Sequence, residues 1–144
     1  MLLNNGRISV PTPGFLIALA FLILLAACTA GMSVRQQFAV QYVDYNNYLR
    51  WGEFDKMKVF MTGELQQDLA DRIKKGSDIK ISDVRELKVQ YEEGSNDAEV
   101  EVEIEYYRQS SGRVKKAIYL QKWIYIEENG VKAWRVRSLP PGFD

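Results

Sequence analysis

The chain has 144 residues and a formal net charge of zero, with 19 Lys and Arg against 19 Asp and Glu, and it contains no histidine. Balanced charge leaves no global basic field to hold nucleic acid. The missing histidine removes the commonest general base, zinc ligand and pH switch at once, which excludes Ser-His-Asp and Cys-His catalysis. One cysteine, Cys28, rules out an intramolecular disulfide.

Residues 1–14 carry one positive side chain, Arg7, and no acidic one. Phe15 to Ala27 is an unbroken apolar run, too short for a comfortable transmembrane helix of about 20 residues. A basic start, an apolar middle and a small-residue end are the parts of a signal peptide. The run closes on Leu25-Ala26-Ala27-Cys28. Those four residues resemble a bacterial lipobox, in which the cysteine becomes the lipidated first residue of the mature protein. The resemblance implies a signal peptide over 1–27, a lipidated tether over 28–33 and a membrane partner reached through the lipid. An uncleaved anchor or simple secretion are the alternatives. Two or more acyl chains give stable anchoring where one gives marginal binding. Position 29 is Thr rather than Asp, which by the same analogy favours the periplasmic face of the outer membrane in a Gram-negative host.

About 116 residues follow the leader, enough for one domain with one core. Val34, Phe38, Tyr42, Tyr45 and Leu49 recur at helical spacing and share a face, and Gly52 fits the stop. Phe54, Met57, Phe60 and Met61 predict a short second helix. Thr62 is a plausible N-cap for a third, striped by Leu65, Leu69 and Ile73 and ended by Lys74-Lys75-Gly76.

From Ile79 the period changes to two. Ala98, Val100, Val102, Ile104 and Tyr106 alternate with Glu99, Glu101, Glu103 and Glu105, which predicts a strand with one buried face and one carboxylate ladder. A third strand runs from about Val114 to Ile126, Asn129-Gly130 marks a hairpin, and a last strand lies near Val131 to Ser138. A three-residue loop at Ser110-Ser111-Gly112 would oppose Ile104 to Ile118 and Val102 to Leu120. A two-residue loop would set glutamates against Ile118 and Leu120, so the apolar pattern favours the longer loop. Pro140-Pro141-Gly142 ends regular structure and leaves 140–144 as a tail.

Helices followed by about four antiparallel strands are an α+β pattern. The long first helix, the Trp51-Gly52-Glu53-Phe54-Asp55 break and the closing Glu128-Asn129-Gly130 hairpin with Trp134 resemble the NTF2-like (cystatin-like) cone fold over 34–139. That resemblance implies helices on a curved sheet, a cone-shaped interior and, in many members, a homodimer through the outer sheet face. The enzymes of the fold place Asp, Tyr or His in the cone. With no histidine and no alignable acid, no catalytic residue carries over to this chain.

Four groups of side chains are candidates for function. The glutamate ladder would take a cation or a basic partner, although neighbours on one strand face are about 7 Å apart, too far to chelate one ion alone. The plainer reading is a solvated sheet face. Tyr119, Trp123 and Tyr125, joined by Trp134, would form an aromatic partner surface, or else belong to the core. Tyr42, Tyr45 and Tyr48 with Asp44 and Asp55 would line a pocket with a polar tip, or else represent ordinary packing with surface acids. Arg113, Lys115, Lys116, Arg135 and Arg137 form a basic sector suited to anionic headgroups or to water. No cofactor or metal is implied by these patterns. The sequence therefore favours a non-enzymatic envelope lipoprotein that docks a protein partner or dimerises. A binder of a small apolar ligand ranks second and a carboxylate enzyme third. A filled interior favours the first, and an open cavity with a buried acid favours the others.

Overall fold

The computed structural model describes residues 31–142, and the expected leader and Cys28 lie outside them. Ser33–Asp144 forms one compact unit. Helix α1 spans Val34–Trp51. Its N-terminus is a capping box: Gln36 N donates to Ser33 Oγ at 3.2 Å, and Ser33 N donates to Gln36 Oε1 at 2.9 Å. It ends at Gly52, whose φ of 68° lets its N–H turn back to the Leu49 and Tyr48 carbonyls.

The second helical segment is a single turn, α2 (Phe54–Met57), continued as a 3₁₀ turn over Lys58–Phe60. Another 3₁₀ turn, Gly63–Leu65, precedes α3 (Gln66–Lys75). Thr62 stands before that turn, but its side chain makes no capping bond and its hydroxyl is buried without a partner. The N-cap expected there is absent because 3₁₀ geometry replaces the first α-helical turn.

Strands β1 (Ile79–Tyr91), β2 (Asp97–Arg108), β3 (Val114–Glu128) and β4 (Val131–Val136) follow in order. They pair as an antiparallel meander, β1-β2-β3-β4. Two irregularities in β1, between Ile81 and Asp83 and between Glu86 and Lys88, bend the sheet. The α+β expectation holds, and the order of elements is the one that the NTF2-like resemblance implies.

The register of β2 on β3 is a correction. Glu103 stands opposite Ile118, and Glu101 stands opposite Leu120. The inward face of β3 is instead Ala117, Tyr119, Gln121, Trp123 and Tyr125. Aromatic side chains bury about 150–250 Å² each, so the register that covers Tyr119 and Trp123 outweighs one that covers two aliphatic chains. Packed on that inner face are Phe38, Tyr45 and Leu49 of α1, with Met57, Met61 and Leu69. Phe38 lies 4.9 Å from Trp134 and Tyr45 lies 5.4 Å from Trp123, ring centroid to centroid. The indole N–H of Trp134 donates to the Val34 carbonyl at 2.9 Å, tying β4 to the start of α1.

Candidate functional site

The side chains proposed as an aromatic partner surface lie inside the domain. Trp123 and Trp134 are 0% exposed, Tyr119 is also buried, and Tyr125 is half-buried against Trp134. They face the helices, so none of the four forms an exposed docking surface. The outward face of the same strand carries Ile118 and Leu120, which sequence reasoning set against the core residues of β2. Val114, Ile118 and Leu120 are 56%, 55% and 41% exposed.

The proposed pocket does not form either. Tyr45 is wholly buried and serves as core, while Tyr42 and Asp44 are half-buried on α1. Burial and the neighbouring Glu86 push the Tyr42 hydroxyl pKa upward. The Asp55 side chain is 95% exposed and paired with Lys58 Nζ at 2.9 Å. The hydrogen bond from Lys58 holds the Asp55 carboxyl below its usual range. Tyr45 points inward and Asp55 into water, so the four residues do not converge.

Two polar clusters lie in the interior. Tyr119 donates from its hydroxyl to the Ser138 carbonyl at 2.7 Å, and the Tyr45 hydroxyl lies 2.9 Å from that of Tyr119. Tyr119 has one proton, so Tyr45 donates to Tyr119. Burial pushes the Tyr119 pKa up to about 12 and that of Tyr45 well above the ordinary tyrosine value. Both hydroxyls therefore stay neutral near pH 7. In the second cluster, buried Gln121 accepts from the Trp123 indole N–H at 3.2 Å and donates to Asn46 Oδ1. Sequence reasoning missed Gln121 as an interior group. Its only signal was its place between Tyr119 and Trp123 in the alternation of β3. Among the described residues no Asp or Glu side chain is buried, and no three His, Cys, Asp or Glu side chains are grouped to hold a metal ion.

The glutamate ladder is on the outer sheet face and is partly neutralised there. Glu103 pairs with Arg85 Nη2 at 2.8 Å and Lys116 Nζ at 3.0 Å, and Lys116 also reaches Glu105 at 2.8 Å. The hydrogen bond from Lys116 leads the causes that hold the Glu103 pKa below the carboxylate norm. The basic sector is likewise tied into pairs: Arg135 with Glu128 and Arg137 with Asp97, both at 3.1 Å.

A cavity of about 120 Å³ opens beneath the C-terminal segment, between α3 and the start of β1. Phe54, Leu69, Ile73 and Ile79 line it, with Arg72 and Arg108 at its polar side. Arg72 donates to the Pro140 carbonyl, and Arg108 Nη1 reaches both Asp78 oxygens at 2.9 and 3.0 Å. Pockets for drug-sized ligands run to about 300–1,000 Å³, so this space admits only a few heavy atoms.

No family model matches the chain, and no curated protein matches it. Among solved structures it is similar to a candidate polyketide cyclase from Xanthomonas campestris pv. campestris. That match has 12% identity and a TM-score of 0.48, and covers 72% of this chain and 91% of that one. It extends no residue role to this protein.

Proposed function

We propose that the chain is a membrane-tethered, non-enzymatic accessory module of the cell envelope. Lipid on Cys28 anchors it, and the outer sheet face docks a protein partner. The observation that carries this reading is the division of the sheet into two faces. Tyr45, Trp123 and Trp134 fill the inner face, while Val114, Ile118 and Leu120 stand exposed on the outer one. Among the described residues no carboxylate is buried, which supports the non-enzymatic reading over a carboxylate enzyme. An exposed apolar strip rimmed by charged side chains is the composition of an interface.

The test is a photo-crosslinking residue at Leu120 of the full chain in its own host. A discrete adduct is expected, and its mass tells a second copy of this chain from a different protein. If Leu120 gives no adduct while the protein is folded and abundant, the docking reading fails. Cys28 is tested separately, by the mass of the N-terminal peptide with its acyl chains.

The cavity beneath the C-terminal segment supports a second reading, a binder of a very small apolar ligand. Native mass spectrometry of residues 28–144 purified from the host decides it: a discrete added mass is required.

A further inference from the structure

Helix α1 has a second apolar stripe that the core does not use. At 100° per residue, Val40, Val43, Asn47 and Trp51 share one face, with the half-buried Asp44 at its margin, opposite Phe38, Tyr45 and Leu49. Val40 and Val43 are 48% and 44% exposed, and Trp51 is 75% exposed. A tryptophan so exposed loses the burial that usually holds the residue in place. The stripe ends beside a depression of about 380 Å³ whose lining includes Arg50, Trp51, Lys74, Ile79 and Ile81. Arg50 Cζ lies 6.0 Å from the Trp51 ring centroid and its guanidinium pairs with Asp83 at 3.3 Å. Lys74 is exposed, and it forms no ion pair among the described residues.

We propose that this stripe is a membrane-contact face: α1 lies along a lipid surface, Trp51 enters the headgroup layer, and Lys74 meets anionic headgroups. Three features select lipid as the occupant. An amphipathic tryptophan flanked by long cationic side chains is the chemistry of the bilayer interface. The cations at its end complement anionic lipid. The stripe also starts about two turns from the tether, and this third feature rests on the proposed lipidation of Cys28. Residues 28–33 reach at most about 20 Å, and α1 is about 27 Å long, so a tethered domain holds its helix within reach of the surface. Flat contact turns the opposite layer, the outer sheet face with Ile118 and Leu120, away from the bilayer. A face-to-face dimer through that sheet would lift one of its two stripes off the membrane.

The test uses residues 28–144, which contain the whole core. Cys28 is their sole thiol, so it can be coupled chemically to a maleimide lipid. This places the domain on vesicles whether or not the host acylates Cys28, and separates failure of this proposal from failure of the lipoprotein reading. The vesicles are phosphatidylcholine with phosphatidylglycerol, or phosphatidylcholine alone, each with brominated acyl chains that quench tryptophan. Trp123 and Trp134 are fully buried, so quenching reports Trp51. The expected result is loss of the emission that Trp51→Phe removes. That loss should occur on anionic vesicles and shrink in Lys74→Glu. Unquenched emission on both membranes overturns the proposal, and is also what a protein occupant of the stripe would give. Equal quenching on both membranes overturns it too, because anionic lipid would then have no part.

Discussion

The hydroxyl of Tyr45 on α1 lies 2.9 Å from that of Tyr119 on β3, and Tyr119 passes its own proton to the Ser138 carbonyl. Helix, sheet and C-terminal segment thus meet in one buried chain of hydrogen bonds. Tyr119→Phe removes both bonds and leaves a buried donor and a buried carbonyl unpaired. Tyr45→Phe removes one bond and leaves a single acceptor short. Tyr119→Phe should therefore cost about 2–3 kcal/mol and Tyr45→Phe about 1 kcal/mol, measured by urea unfolding near pH 7.

The same pair sets the alkaline limit of stability. The folded Tyr119 pKa is about 12, above the unfolded value of about 10. A group raised in the folded state contributes fully below its unfolded pKa and loses that contribution as pH rises through the folded one. Stability should fall between about pH 10 and about pH 12, and the fall should be shallower in Tyr119→Phe. Urea midpoints collected across that range test it.

Gln121 is the only amide side chain that is fully buried among the described residues. Gln121→Leu keeps the volume but strands the Trp123 indole N–H and the Asn46 carbonyl oxygen that it served. The cost should be about 1–3 kcal/mol. Adding Asn46→Ala should cost less in the Gln121→Leu background than alone, which a double-mutant cycle reads directly.

The elements of this fold were legible where periodicity was strong and single-valued. The α1 face, the β2 alternation and the Asn129-Gly130 turn each have one physical solution. The pairing of β2 with β3 has two, because β3 is apolar on both faces. Ile118 and Leu120 match the β2 core residues in kind, yet Tyr119, Gln121 and Trp123 occupy the inner face. Parity of a loop is decided by the packing of distant α1, which a strand-level comparison does not include. The same omission left Trp123 and Trp134 open between a partner surface and the core. The α1 stripe went unread because Val40 and Val43 are modest side chains, separated from Trp51 by Asn47.

At the β3–β4 turn, Asn129 and Gly130 have φ values of 53° and 76°. Both lie in the left-handed region that a two-residue I′ turn requires. Asparagine tolerates it, whereas any other side chain at position 130 is strained even though the space around a new Cβ is empty. Gly130→Ala should cost about 1 kcal/mol, while Asn129→Gly should be nearly neutral. Thermal melts of the two variants separate backbone strain from crowding.

The two faces of β3 make opposite predictions for substitutions three positions apart. Trp123 is fully buried and donates to Gln121. Trp123→Ala removes a large core side chain and leaves a cavity between Phe38 and Tyr45, so it should cost about 3–5 kcal/mol or prevent folding. Leu120 is 41% exposed and opposes Glu101. Leu120→Lys sets opposite charges across the strands and should change stability by less than about 0.5 kcal/mol. The partner held on the outer face would nevertheless be lost, because a charge then replaces an apolar member of the strip. Denaturation of the purified domain and recovery of the partner from the host give the two readouts. If Leu120→Lys unfolds the protein, the outer face is part of the core and the docking assignment is wrong. If the variant is as stable as the parent and still retains its partner, the docking surface lies elsewhere.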